Sequence, residues 1–190
     1  MAHDDRLADY HAKRDPQRTP EPSGSRARKG RKPRFVVQRH DARSLHFDFR
    51  LEIDGVLVSW SVPKGPSLNP GERRLAIRTE DHPLDYLDFE GVIPQGEYGG
   101  GTVIVWDKGT YDNLTEEPAA KALEKGHLTV GLHGEKLTGA FSLIRTDVRG
   151  RQEQWLLIKK KDEGAAASVH NLAKTRPESV LTGKTNEELG

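Results

Sequence analysis

From Phe35 onward, apolar and polar residues alternate in short runs. Alternation at period two marks a strand, because successive side chains point to opposite faces. Runs of this kind predict strands over 34–39, 46–53, 56–62, 74–79, 102–106, 128–132, 137–145 and 154–160. Asp54-Gly55, between the second and third, is a two-residue hairpin signal. One helix is predicted over 115–125: Thr115 caps it, Glu116 and Glu117 suit its first turn, Lys121 and Lys125 its last, and Gly126 stops it. Pro118 is tolerated in the first turn, where its missing N–H would have no partner. Many short strands with glycine-bearing turns point to a β-barrel or a sandwich. No internal repeat is visible. Residues 162–190 are polar and are expected to wrap the surface or fray.

The second run carries the most chemistry. In His46-Phe47-Asp48-Phe49-Arg50-Leu51-Glu52-Ile53 the aromatic and aliphatic residues share one face, as a core requires. The other face holds an imidazole, a carboxylate and a guanidinium, spaced roughly 7 Å apart along the strand. His40 lies upstream, within reach if the chain turns at Asp41-Ala42-Arg43. His40, His46 and Asp48 thus form a candidate metal site. Two imidazoles and a carboxylate suit Mn, Fe or Zn and leave positions open for water and substrate. The bland alternative is a half-exposed strand with a polar outer face.

Composition narrows the field. Of 190 residues, 34% are hydrophobic and 31% charged, which fits one modest core with solvated arms. The formal net charge is +1, so any nucleic-acid contact must come from local clusters rather than a global field. The absence of cysteine excludes disulfides and zinc–thiolate sites. The polar N-terminus does not read as a signal peptide, and no apolar run approaches membrane-spanning length, so a soluble cytoplasmic protein is expected. Residues 1–33 read as an arm. The stretch 22–34 at its end carries Arg26, Arg28, Lys29, Arg31, Lys32 and Arg34 without an acid, and reads either as a solubilising linker or as a contact to a phosphate backbone.

A basic series follows the candidate metal site: Arg50, Lys64 in Pro63-Lys64-Gly65-Pro66, Arg74 and Arg78. Arg74, Ala76 and Arg78 should share one strand face. Arginine offers a planar fork to phosphate oxygens and lysine a point charge; the bland reading is ordinary surface charge. His82, in Glu80-Asp81-His82-Pro83, is a candidate general acid or base. The glycine-rich stretch 93–101 has no helix to follow, so it reads as a bend rather than a phosphate loop. Gly183-Lys184-Thr185 lacks the glycine a Walker motif needs at position 178, which is Glu.

Taken together, several stretches resemble the phosphoesterase domain of bacterial DNA ligase D. They are Phe35-x-x-Gln38-x-His40-Asp41-Ala42-x-x-Leu45-His46-x-Asp48-Phe49-Arg50-Leu51, Ser59-Trp60-x-Val62-Pro63-Lys64-Gly65-Pro66, Glu80-Asp81-His82-Pro83-x-x-Tyr86 and Ile93-Pro94-x-Gly96-Glu97-Tyr98-Gly99-Gly100-Gly101. The likeness spans roughly 14–161 and includes Lys13-Arg14-Asp15, Thr19-x-Glu21-Pro22 and 155–160. It implies a mainly β fold, a closed or nearly closed barrel of about eight strands with a few flanking helices, over 34–162. An N-terminal arm (1–33) and a polar extension (163–190) flank it. It further implies a Mn-dependent enzyme that trims 3′ ends at DNA breaks, removing a terminal ribonucleoside and then the 3′-phosphate. His40, His46 and Asp48 match the metal ligands. Arg50, Lys64, Arg74, His82 and Tyr86 match catalytic positions, Gln38 lies with them around the scissile phosphate, and Arg14, Asp15 and Glu21 match a segment folding over the site. DNA or DNA–RNA 3′ ends, a separate DNA ligase and an end-binding protein are the implied partners.

Two other readings use the same residues. A non-haem Fe(II) oxygenase would join His46-x-Asp48 to a distal His127 or His133 on a barrel. A non-catalytic end-binding module would rely on the basic arm as much as on the pocket. The basic series weighs against the first, and the intact ligand set against the second.

Overall fold

The computed structural model describes residues 6–24, 32–163, 165 and 172–190. Among the described residues nine strands form: β1 (Arg34–Asp41), β2 (Leu45–Ile53), β3 (Val56–Val62), β4 (Arg73–His82), β5 (Gly91–Ile93), β6 (Gly101–Asn113), β7 (His127–Gly134), β8 (Thr138–Arg149) and β9 (Gln152–Lys159). All neighbours are antiparallel, in the order β1-β2-β3-β4-β9-β8-β7-β6, and a β1–β6 pairing closes the ring. The barrel therefore has eight strands, and β5 lies beside the start of β6 as a ninth. The β2–β3 hairpin turns at Asp54 (φ 50°) and Gly55 (φ 83°), the left-handed pair that matches strand twist.

The alternation read from the sequence sorts into an inside and an outside. Phe47, Phe49, Leu51 and Ile53 of β2 join Phe35, Val37, Val58, Trp60, Trp106 and Trp155 in the barrel core. The opposite face is not open to solvent. Val36, Leu57, Val103 and Val105 point outward into a second apolar cluster with Tyr10, Leu84, Tyr86, Leu87 and Phe89. The last four come from a 3₁₀ segment, Leu84–Asp88, and the residue after it. Tyr10 comes from a short helix α1 (Ala8–Ala12) in the N-terminal segment. The polar face of β2 is thus roofed, and burial reaches both of its faces.

Several elements differ from the sequence reading for identifiable reasons. The helix α2 spans Ala119–Lys125 rather than starting at Thr115, with extended Pro118 at its N-cap. A residue before proline is pushed out of the helical region, so Glu117 cannot begin it. Thr115 instead bonds Thr129 of β7 through its hydroxyl. Gly126 ends α2 in the left-handed conformation, as anticipated. Strand β6 runs well past Trp106, because it is long enough to serve β1, β5 and β7 at different points.

The described part of the tail does not fray. Helices α3 (Leu172–Thr175) and α4 (Asn186–Leu189) are separated by a strap whose Val180 N–H bonds Val105 O. The Asn186 amide donates to the carbonyls of Arg39 (3.1 Å) and Thr102 (2.9 Å). The basic residues Arg26, Arg28, Lys29 and Arg31 lie outside the described residues. Among the described residues no helix is long and apolar enough to cross a membrane.

Candidate metal and phosphate site

The β1–β2 hairpin sets the site. Its register places His40 opposite His46 and Gln38 opposite Asp48. The two imidazoles lie side by side on the outer wall, ring centroids 4.7 Å apart, with Asp48 two residues along from His46. Each ring is oriented by a backbone carbonyl: His40 Nε2 donates to Gly99 O (2.6 Å) and His46 Nδ1 to Ser44 O (2.9 Å). A carbonyl only accepts, so those nitrogens carry the hydrogens. The other ring nitrogens, His40 Nδ1 and His46 Nε2, both face Asp48, at 3.4 Å from Oδ2 and 3.5 Å from Oδ1. The three donor atoms lie within 4.8 Å of one another. Two imidazoles with their far nitrogens anchored, converging on a carboxylate, fit a divalent transition metal. The glycine-rich bend is part of this: a Cβ on Gly99 would stand 3.2 Å from His40 Cε1, and one on Gly101 would strike Asp41 O at 2.1 Å.

Arg50 lies behind the triad and is 2% exposed. Its Nε donates to Gln38 Oε1 (2.8 Å), its Nη2 lies 3.5 Å from Asp48 Oδ2, and its guanidinium stacks 4.8 Å over the Tyr86 ring. Its Nη1 is buried with no hydrogen-bond partner among the described residues. Burial alone would raise the Asp48 carboxyl; Arg50, His40 and His46 outweigh it and hold that group well below the carboxylate range. Asp48 is therefore ionised at any ordinary pH.

The wall opposite is built from β4, the 3₁₀ segment and the N-terminal segment. His82 Nδ1 donates to Glu80 O (2.9 Å), so its Nε2 is an acceptor, and Arg14 Nη2 points at it from 3.4 Å. Burial, with Arg50 and Arg14 nearby, keeps His82 neutral well below its usual pKa. Glu21 is a buried clamp: it accepts from Arg14 Nε (3.0 Å), Thr19 Oγ1 (2.8 Å) and Tyr86 Oη (2.6 Å). Burial and the Glu21 charge push the Tyr86 phenol well above its usual range, so it remains a donor. Arg14 also stacks 4.0 Å over Tyr10 and reaches Glu80 at 3.4 Å. Together these residues line a cavity of about 300 Å³ that includes Arg14, Glu21, His40, His46, Asp48, Arg50, His82 and Tyr86.

Most residues expected from sequence meet in this cavity; four do not. Gln38 is fully buried, its carbonyl on Arg50 and its amide on Tyr86 O (2.9 Å) and Phe89 O (3.0 Å), which leaves nothing of it for a phosphate. Arg74 pairs with Glu72 at 2.8 Å, Lys64 is exposed on its turn, and Asp15 is exposed with its carboxylate on Gln17 N. None of these last three is among the described residues lining the cavity. The histidines of the oxygenase reading are elsewhere too: His127 and His133 are exposed on β7, and His133 pairs with Asp112 at 2.7 Å.

Sequence reasoning gave no site role to Ser59, Ser61, Thr79 and Glu80. The serines carried a usable signal, since the Asp54-Gly55 turn fixes a register that sets Ser61 opposite Asp48 and Ser59 opposite Arg50. Glu80 carried none, because its role depends on a distant segment bringing Lys13 (2.9 Å) and Arg14 to it.

Residues 38–145 match the family described as the DNA Ligase D 3′-phosphoesterase domain. The chain is 56% identical over 182 residues to the multifunctional non-homologous end joining protein LigD of Pseudomonas aeruginosa, covering 94% of this chain and 21% of that protein. It is 47% identical over 162 residues to the multifunctional non-homologous end joining DNA repair protein LigD of Mycobacterium tuberculosis, covering 84% of this chain and 20% of that protein. It is 44% identical over 164 residues to the corresponding protein of Mycolicibacterium smegmatis. The chain spans about one fifth of the length of these relatives.

Proposed function

The chain belongs to the DNA ligase D 3′-phosphoesterase domain family, and from that premise we propose that it is a Mn-dependent enzyme that repairs 3′ ends at DNA breaks. Its substrates are a primer strand ending in a ribonucleoside, which it converts to a 3′-phosphate, and the 3′-phosphate itself, which it converts to a hydroxyl. A DNA ligase and an end-binding protein are its working partners in non-homologous end joining, in the cytoplasm.

The observation that carries the reading is the pairing of the converging donors of His40, His46 and Asp48 with a buried arginine nitrogen that has no internal use. A buried unpaired donor is costly, so an arginine held this way suits an incoming anion. A divalent metal on the triad supplies Lewis acidity toward a phosphate oxygen. Arg50 then donates Nη1 to the phosphate and spreads the negative charge that builds in the transition state. Gln38 acts through Arg50, fixing the plane of its fork. Tyr86 and Glu21 hold the N-terminal segment in place and present Arg14 as a second cation. His82, with Nε2 an acceptor on the cavity side, takes a proton from an attacking water as its oxygen bonds to phosphorus, and returns that proton to the oxygen whose bond to phosphorus breaks. The sequence left both acid and base roles open to His82; with Nδ1 committed to Glu80 O, Nε2 is the atom that accepts the proton first.

The test is phosphate release. Protein stripped with EDTA and given an oligonucleotide with a 3′-phosphate should release no inorganic phosphate until Mn is restored. Release that is equal with and without metal would refute the reading.

A further inference from the structure

The C-terminal tail has no part in the chemistry described so far, yet one of its side chains holds the backbone that carries a metal ligand. Asn186 opens α4 and is 1% exposed. Its Nδ2 donates to Arg39 O (3.1 Å), Thr102 O (2.9 Å) and Thr102 Oγ1 (3.1 Å), and its Oδ1 accepts from Arg39 Nη1 (2.7 Å). Carbonyls only accept and a guanidinium only donates, so these partners leave the amide one orientation. Both ends of the side chain are therefore spent on β1 and β6. The turn into α4 is fixed as well, by a capping box between Thr185 and Glu188.

The two carbonyls sit at a particular place in the barrel. Arg39 O belongs to the peptide unit that enters His40. Thr102 O belongs to the one that enters Val103, and Val103 is the partner of His40 across the β1–β6 pairing. Strand alternation puts Arg39 and Thr102 on the opposite face of this wall from His40 and Val103. Asn186 thus grips the wall from behind the triad. Gly99, whose carbonyl orients His40 Nε2 at 2.6 Å, leads directly into the start of β6. One amide therefore ties the strand that carries the imidazole to the strand whose approach carries the carbonyl that turns it.

We propose that Asn186 is a positioning residue of the metal site: by joining the Arg39–His40 and Thr102–Val103 peptide units it holds His40 and Gly99 O at the separation that aims Nδ1 at the metal. The inference rests on the metal reading of the triad and adds to it a contribution from the tail. A ligand held in its coordinating geometry before the ion arrives binds more tightly than one that must be ordered by it.

The test is metal binding. Stripped wild type, Asn186→Ala, Asn186→Asp and Ser179→Ala are titrated with Mn by calorimetry and with Co(II) by visible absorption, beside thermal melts. Asn186→Asp keeps an oxygen for Arg39 but has no N–H for the two carbonyls. Ser179→Ala loosens the tail at a different place, where Ser179 Oγ bonds Glu90 and the N–H groups of Leu181 and Thr182. Loss of an outer partner of a metal ligand costs roughly 10- to 100-fold in affinity. Asn186 acts through the backbone rather than on the ring, so the lower end, about ten-fold, is expected in both Asn186 variants, with a shifted Co(II) d–d band. Ser179→Ala should melt below wild type and keep the wild-type affinity and band. Wild-type affinity and band in either Asn186 variant would leave Asn186 as a tail anchor alone. An affinity loss in Ser179→Ala equal to that in Asn186→Ala would assign the effect to a loosened tail rather than to this amide. Either result overturns the proposal. Wild type that binds neither ion would instead overturn the metal reading on which it rests.

Discussion

Replacing Arg50 with lysine keeps the charge and removes the fork. In the folded protein Arg50 uses Nε on Gln38 and Nη2 toward Asp48, and its buried Nη1 has no partner among the described residues. Lysine reaches at most one of these positions. A hydrogen bond to a charged group is worth about 1.5–3 kcal/mol, so losing the one to the phosphate should lower kcat/KM by roughly ten- to a hundred-fold. A second effect acts on stability. Gln38 is fully buried, and its carbonyl would lose its donor. An orphaned buried acceptor costs about 1–3 kcal/mol, or roughly 2 to 12 °C in melting temperature for a domain of this size. Gln38→Leu should cost a similar amount by orphaning Nε, and the double variant should cost less than the sum, since each change removes the same bond. The assays are kcat/KM on a 3′-phosphate primer and thermal melts of the four proteins. Wild-type kinetics in Arg50→Lys, or additive stability losses, would refute this picture of Arg50 as a guanidinium oriented by Gln38.

Four further outcomes are expected. His46→Ala should lose bound metal by elemental analysis, whereas His127→Ala and His133→Ala should keep it, because the latter two are exposed on β7. Deleting residues 1–22 should abolish turnover while far-UV spectra still report the barrel, since Arg14 and Glu21 line the cavity but the barrel core is drawn almost wholly from later residues. Metal affinity should fall between pH 8 and pH 6: burial lowers the His46 pKa, but Asp48 and Ser44 outweigh it and raise the value above the usual imidazole range, so protons compete for that ligand in titration calorimetry. Finally, His82 has a depressed folded-state pKa, so its contribution to stability is present above about 6.5 and is lost as pH falls toward the folded value. His46 in metal-free protein runs oppositely, its contribution being present below about 6.5 and lost as pH rises. Urea melts of metal-free His82→Asn should therefore lose less stability between pH 7 and pH 5 than wild type does, and identical slopes would contradict the assignment.

The triad was legible because a hairpin is local. Alternation put His46, Asp48 and Arg50 on one face, and a short turn brought His40 back opposite His46. Closure of the ring was harder to read, since β1 meets β6 some seventy residues on, across a bulge at Val37/Gln38. The 3₁₀ segment and β5 were invisible to periodicity, being too short to show one. Residue type misled where partners decide the role. Gln38 has an amide that suits a phosphate site, but the fold spends it on Arg50 and on the carbonyls of Tyr86 and Phe89. Arg74 alternates correctly with buried Ala76, and then turns to Glu72. No local pattern reports that choice.

The central claim is that this wall of the barrel removes blocks from 3′ ends with a metal on His40, His46 and Asp48. The most direct test gives wild type and His46→Ala a primer–template ending in one 3′-ribonucleotide, with Mn or with EDTA, and resolves the products on a gel. The account predicts a 3′-phosphate product that is chased to a 3′-hydroxyl, seen only with wild type and Mn. An unprocessed primer under all conditions, or equal processing by His46→Ala or in EDTA, would contradict it.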